Sequence, residues 1–185
     1  FWQHYFDVYA ETQAMAVRRQ ADRHRDVASL AKLVTEIAGD CEALTVDWWV
    51  GLWQFDDARD GAIMETLARR QFAAEFGGDI GDHLDPQIAE ADLDRMDAAS
   101  ADVKAHVDKH IAHAEDPGRG LSDPGAAPAE APVTLGDVHD AIDVIGDVFK
   151  RYYLLLTAAS MAQLEPVIQH DWLAPFREPW IRDES

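Results

Sequence analysis

The chain has 185 residues, of which 48% are apolar, and its formal net charge at pH 7 is −19. This length and composition predict a single domain over residues 1–185, with a core large enough to fold without metal or disulfide staples. One cysteine, Cys41, excludes an internal disulfide and favours a reducing, cytoplasmic compartment. The acidity excludes strong non-specific DNA binding, because that affinity comes from Lys and Arg side chains that neutralise phosphates. No apolar run is long enough to predict a membrane span.

The acidic side chains are concentrated in the middle of the chain. Residues 77–149 hold 17 acidic and 4 basic side chains, whereas residues 1–76 hold 13 and 8. Net charge affects solubility and association rather than fold or chemistry, so we attribute the acidity to solubility.

Apolar residues recur at steps of three and four along most of the chain, which predicts an all-α helical bundle of about five helices. A first amphipathic helix is expected at residues 2–22. A second is expected at residues 27–37, with Asp26 as its N-cap. The tryptophan-rich stretch 40–57 fits either a short helix or a packed loop.

The second half of the chain has the same helical periodicity, with one interruption. A third helix is expected at residues 58–76, with an apolar stripe formed by Ile63, Leu67, Phe72 and Phe76. A fourth helix at residues 86–114 is followed by a Pro- and Gly-rich loop at 116–132, which we expect to be flexible. Thr134 is expected to cap a fifth helix that runs to about residue 160.

Three histidines lie close together at the end of the predicted fourth helix. At 100° per residue, His106, His110 and His113 fall within about 60° of one another, beside the apolar stripe of Val103 and Val107. Histidines at such a border serve as acid or base groups, as metal ligands or as hydrogen-bonded packing residues. The spacing leaves all three interpretations open.

The run Val107-Asp108-Lys109-His110-Ile111-Ala112-His113 resembles the signature of the HEPN superfamily, in particular its abortive-infection (phage-resistance) branch. In that signature an arginine precedes a polar residue and, four to six residues later, a histidine, and Ala-His commonly ends the run. Asp108 fits the polar position and Ala112-His113 fits the ending. The aromatic first helix, the segment Asp26-x-x-Ser29-Leu30 and the tail with Trp172, Phe176 and Trp180 also resemble that branch.

The resemblance implies a HEPN-like helical bundle that forms a homodimer and acts in phage defence, as in toxin–antitoxin systems. Its implied partners are RNA or an antitoxin or regulator protein. Active members, as the resemblance implies, are metal-independent ribonucleases that cut RNA at the dimer interface. In such a site the cation holds the scissile phosphate, and the imidazole moves the proton of the attacking 2′-hydroxyl.

One position departs from this pattern. Val107 occupies the place of the signature arginine, and no arginine lies between Arg95 and Arg119. Valine cannot bind a phosphate. We therefore expect a degenerate member, a dimerising module that binds RNA or protein and has weak or no ribonuclease activity.

The first alternative is a metal-independent ribonuclease with an unusual site centred on His113. Asp108 would then orient a neighbouring group or the histidine of a partner chain. Lys109 would at most steer phosphate, because on an α-helix it points about 160° away from position 107. His106 would supply a cation only when protonated.

The second alternative is a metal-binding bundle through His106, His110 and His113, with Asp102 or His139 as further ligands. Three ligands on one helix are spread along its axis, and a fourth is not evident. We therefore expect neither a metal nor a cofactor.

Overall fold

The structure, a computed structural model, describes residues 2–53, 58–77, 81–112 and 133–161. Within these ranges the chain is an all-α bundle, as the periodicity predicts. Its α-helices are α1 (Trp2–Gln20), α2 (Leu30–Gly39), α3 (Val46–Gly51), α4 (Ala58–Phe72), α5 (Pro86–His106) and α6 (Leu135–Thr157). The described residues contain no strand, only an isolated bridge between Thr45 and His83.

Helix α2 begins later than the sequence predicts, so the expected N-cap at Asp26 is wrong. The cap is Ser29, whose backbone is extended and whose hydroxyl accepts a hydrogen bond from the Lys32 amide at 3.1 Å. The same hydroxyl donates to the carbonyl of Asp22, which ties the cap to the end of α1. Residues 21–29 therefore form a loop between α1 and α2 rather than the first turn of a helix.

The start of α6 confirms the predicted cap at Thr134. The Thr134 hydroxyl accepts from the Asp137 amide at 3.2 Å, and the Asp137 carboxylate accepts from the Thr134 amide at 2.7 Å. This reciprocal pair satisfies two backbone donors that a helix start otherwise leaves open.

The larger of two apolar clusters joins α2, α3 and α4 to the first half of α5 and the second half of α6. Trp49, which is fully buried, lies at its centre, with the rings of Phe72 and Phe76 at 5.8 and 6.0 Å between centroids. The sequence correctly places Phe72 and Phe76 inside. Ile63 and Leu67 on the same predicted stripe are instead 62% and 50% exposed, because among the residues of α4 whose burial is described, 61–72, the buried ones are Ala68 and Phe72.

The smaller cluster joins α1 to the end of α5 and the start of α6. Its buried members are Ala14, Val17, Val103, Val107, Val138 and Ala141. This packing holds Val107 against α1. Val107 is the first residue of the HEPN-like run 107–113, called the signature segment below.

A buried ion network connects α5 to α6. The carboxylate of Asp92 is 1% exposed and accepts from Arg151 Nη1 at 2.7 Å and from Arg95 Nη1 at 3.2 Å. A buried carboxylate is tolerated when it is paired in this way.

No helix in the described ranges is both long and apolar enough to cross a membrane. The loop predicted at 116–132 and the aromatic tail with Trp172, Phe176 and Trp180 lie outside the described residues.

Candidate functional site

The signature segment continues directly from α5 but with a different helical geometry. Residues Val107–Ala112 form a π-helical segment, in which backbone hydrogen bonds span five residues instead of four. The sequence-based angles assume an α-helix, and the alignment of His106 with His110 and His113 stays a prediction, because those two side chains lie outside the described residues. Short π-helical segments are frequent at functional sites.

Not every predicted site residue falls within the described part of the chain. Asp108 is half-buried, His106 is half-buried, and Lys109 is exposed. His113 and the side chain of His110 lie outside the described residues. The site centred on His113 therefore stays a prediction.

Val107, at the position of the signature arginine, is a core residue. Its side chain is 2% exposed and belongs to the smaller cluster with Val17 and Val138. The side chain at this position serves packing between α1, α5 and α6, and a valine suits that role.

A cation reaches the signature segment from a different helix. Arg18, near the end of α1, donates from Nε to the Asp108 carboxylate at 2.5 Å. Its Nη1 lies 4.0 Å from Asp22. Sequence reasoning missed Arg18, because 90 residues separate the two partners and helical periodicity does not report contacts between helices. The one available signal was the Arg18-Arg19 pair on the flank of an amphipathic helix.

Two grooves border this ion pair, and Arg18 and Asp22 line both. The smaller, about 260 Å³, also has Arg23, Asp97, Lys104 and Asp108 in its walls. The larger, about 820 Å³, lies along the end of α1 and the following loop. Its apolar lining is Met15, Ala16, Val27, Ala28 and Val107, and Arg19 and Asp26 add charge. Pockets of this size accommodate ligands when a few polar groups converge on them.

The carboxylates in the smaller groove are largely engaged by cations. Arg23 forms an ion pair with Asp97 and also donates to the carbonyl of Leu93 at 3.3 Å. Arg18 holds Asp108. Since each carboxylate has a guanidinium beside it, the groove is close to neutral in a chain whose net charge is −19.

Cys41 lies away from this site and is buried. Burial, with the nearby carboxylates of Asp85 and Asp40, raises the pKa of its thiol. A thiol with a raised pKa is a poor nucleophile, so the structure gives no support to nucleophilic catalysis there.

The described residues contain no group of three or more His, Cys, Asp or Glu side chains arranged to hold a metal ion. Asp102 and His139, named as further ligands of a metal site, are both exposed. The other two histidines of that hypothesis are not described at the ligating groups, since the side chain of His110 and the whole of His113 lie outside the described residues.

The sequence model of a HEPN family, HEPN_AbiU2, described as AbiU2, matches residues 1–174. No curated protein matches the chain, and no solved structure does.

Proposed function

Since the chain belongs to the HEPN_AbiU2 family of abortive-infection proteins, we propose that it acts in phage defence as a degenerate, dimerising module that binds RNA or a partner protein. In this proposal it acts in the cytoplasm and cuts RNA weakly or not at all. An antitoxin or regulator is the protein partner that the family membership favours.

The observation that carries this proposal is the burial of Val107. At 2% exposure in the smaller cluster, position 107 contributes to packing and provides no cation for a phosphate. Removing one electrostatic contact to a developing charge commonly lowers a rate by about 10²–10³. Arg18 does not fully compensate, because the Asp108 carboxylate beside it neutralises part of its charge.

Dimerisation is supported by the family and by exposed apolar residues. HEPN domains often dimerise. Helix α1 exposes Val8, Tyr9 and Met15 at 47%, 40% and 52%, and α4 exposes Ile63 and Leu67. These side chains are our candidates for the dimer contact.

An RNA-cleavage assay tests the proposal against the alternative ribonuclease centred on His113. Purified protein is incubated with labelled single-stranded RNA in the presence of EDTA, beside the variant His113→Ala and the control His24→Ala. His24 is exposed in the loop after α1, so its removal leaves the signature segment intact. We expect little or no cleavage by any of the three proteins. Robust cleavage that only His113→Ala abolishes would establish the ribonuclease instead.

A further inference from the structure

Basic side chains are concentrated where α1 ends. Residues 18–25 hold Arg18, Arg19, Arg23 and Arg25, which are four of the 16 Lys and Arg residues of the chain. The contact between Arg18 and Asp108 places the signature segment beside this end of α1, although that segment lies in the most acidic third of the sequence. The fold therefore supplies cations to a segment whose own sequence has few.

Arg18 retains hydrogen-bonding capacity after its contact with Asp108. A guanidinium has five N–H donors, and the short hydrogen bond to Asp108 uses the one on Nε. The side chain is 40% exposed and lines both grooves. The planar fork of the remaining N–H groups matches the geometry of a phosphate, which an arginine binds through two parallel hydrogen bonds.

Two further cations lie in the groove walls without an ion-pair partner in the described part of the chain. Lys104 lines the smaller groove and Arg19 the larger. The larger groove also has an apolar floor that includes Met15 and Val27, and the guanidinium of Arg19 in its wall provides a plane on which an unstacked base can stack. Cations beside an apolar surface suit single-stranded nucleic acid better than a fully charged small anion.

We propose that Arg18 is the phosphate-binding residue of this site, and that it contacts the backbone of single-stranded RNA in the place of the arginine missing at position 107. Asp108 pairs with the guanidinium and competes with the phosphate for it. Lys104 provides a second phosphate contact. This inference rests on the proposed function, since it names RNA as the ligand and the end of α1 as the binding surface.

The ion pair between Arg18 and Asp108 can also be explained as a structural link between two helices. Variants of its two residues distinguish this explanation from RNA binding. Arg18→Gln and Asp108→Asn each remove the same ion pair. If the pair only joins α1 to the signature segment, the two variants behave alike. If Arg18 binds phosphate, Arg18→Gln weakens RNA binding and Asp108→Asn does not, because Asp108→Asn removes a carboxylate that competes with the phosphate.

The experiment measures binding of a fluorescent single-stranded RNA of about 16 nucleotides by anisotropy, at about 50 and 200 mM salt. The control variant is Arg70→Gln, which makes the same change of charge at an exposed residue of α4 outside both groove walls. Circular dichroism confirms that each variant is folded, and gel electrophoresis of the same samples reports cleavage.

We expect Arg18→Gln to weaken binding about tenfold and to reduce the dependence of log affinity on log salt by about 0.7. Asp108→Asn should bind as tightly as the unmodified protein or about twofold to fivefold more tightly, since a repulsive charge is removed. Arg70→Gln should stay within about twofold, because an exposed charge away from both grooves is screened by salt.

Three results would overturn the inference. They are no RNA binding by the unmodified protein, equal affinities for Arg18→Gln and Arg70→Gln, or equal losses for Arg18→Gln and Asp108→Asn. Robust cleavage in these samples would instead overturn the proposed function. If RNA affinity still depended on Arg18 in that case, the inference about the binding site would stand.

Discussion

Replacing Val107 with arginine perturbs the residue on which the degenerate interpretation depends. The valine is 2% exposed and packs in the cluster that joins α1, α5 and α6. An arginine in that volume overpacks the cluster, which typically costs about 1–3 kcal/mol. The guanidinium can extend into the larger groove that Val107 lines, so the charge itself need not be buried.

The expected result for Val107→Arg is a folded but less stable protein. A loss of about 2 kcal/mol lowers the unfolding midpoint by about 4–8 °C for a chain of this size. Val107→Ala is the matched control, since it removes two buried carbons and costs about 1.6 kcal/mol without adding charge. Thermal unfolding followed by circular dichroism measures both variants.

The same variant restores a cation at the signature position. At a temperature well below its unfolding midpoint, Val107→Arg should cut RNA faster than the unmodified protein, by up to about 10²–10³ if the dimer brings both catalytic histidines to one cleft. An unchanged unfolding midpoint in both Val107→Arg and Val107→Ala would refute the packing argument. If folded Val107→Arg does not cleave RNA, the chain shares only its fold with active HEPN ribonucleases.

Three further outcomes are expected. Arg151→Ala should destabilise the protein by about 3 kcal/mol in urea unfolding, because it removes the closer partner of the buried Asp92 carboxylate; a loss below that of exposed Arg25→Ala would contradict this. Thr134→Ala should cost about 1 kcal/mol by loss of the α6 cap. Hydrogen bonds from Thr134 lower the pKa of Asp137 below its ordinary value. The ionised carboxylate therefore stabilises the fold at pH values above that ordinary pKa, and this stability is lost as the pH falls through the lowered pKa. The loss of stability in Thr134→Ala should accordingly shrink with acidification, and a constant loss would count against the cap. Light scattering should show a dimer, and a monomer at high micromolar concentration would exclude one.

The sequence predicts helices well where their own residues determine them. Thr134 with Asp137 three residues later is a local signature, and the structure forms that cap. Phe72, Met96, Val138 and Tyr152 follow the helical period and are buried. The prediction fails at α2 because Asp26 and Ser29 are both good caps. Bonds to the preceding segment favour the second, from the Ser29 hydroxyl to the Asp22 carbonyl and from the Leu30 amide to the Gln20 side chain.

The site is less predictable because its contacts are between distant segments. The role of Val107 follows from periodicity, since it continues the stripe of Met96 and Val103. The pairing of Arg18 with Asp108 does not, because it depends on how α1 lies against α5. The π-helical segment Val107–Ala112 is also invisible in the pattern, since an apolar stripe does not reveal whether hydrogen bonds span four residues or five.

The rate of RNA cleavage at saturating protein concentration, in the presence of EDTA, tests the central claim most directly. The account predicts that the unmodified protein and His113→Ala cut at the same low rate, close to that of RNA alone. A rate far above that background for the unmodified protein, lost in His113→Ala and kept in His24→Ala, would contradict the account and make this chain an active ribonuclease.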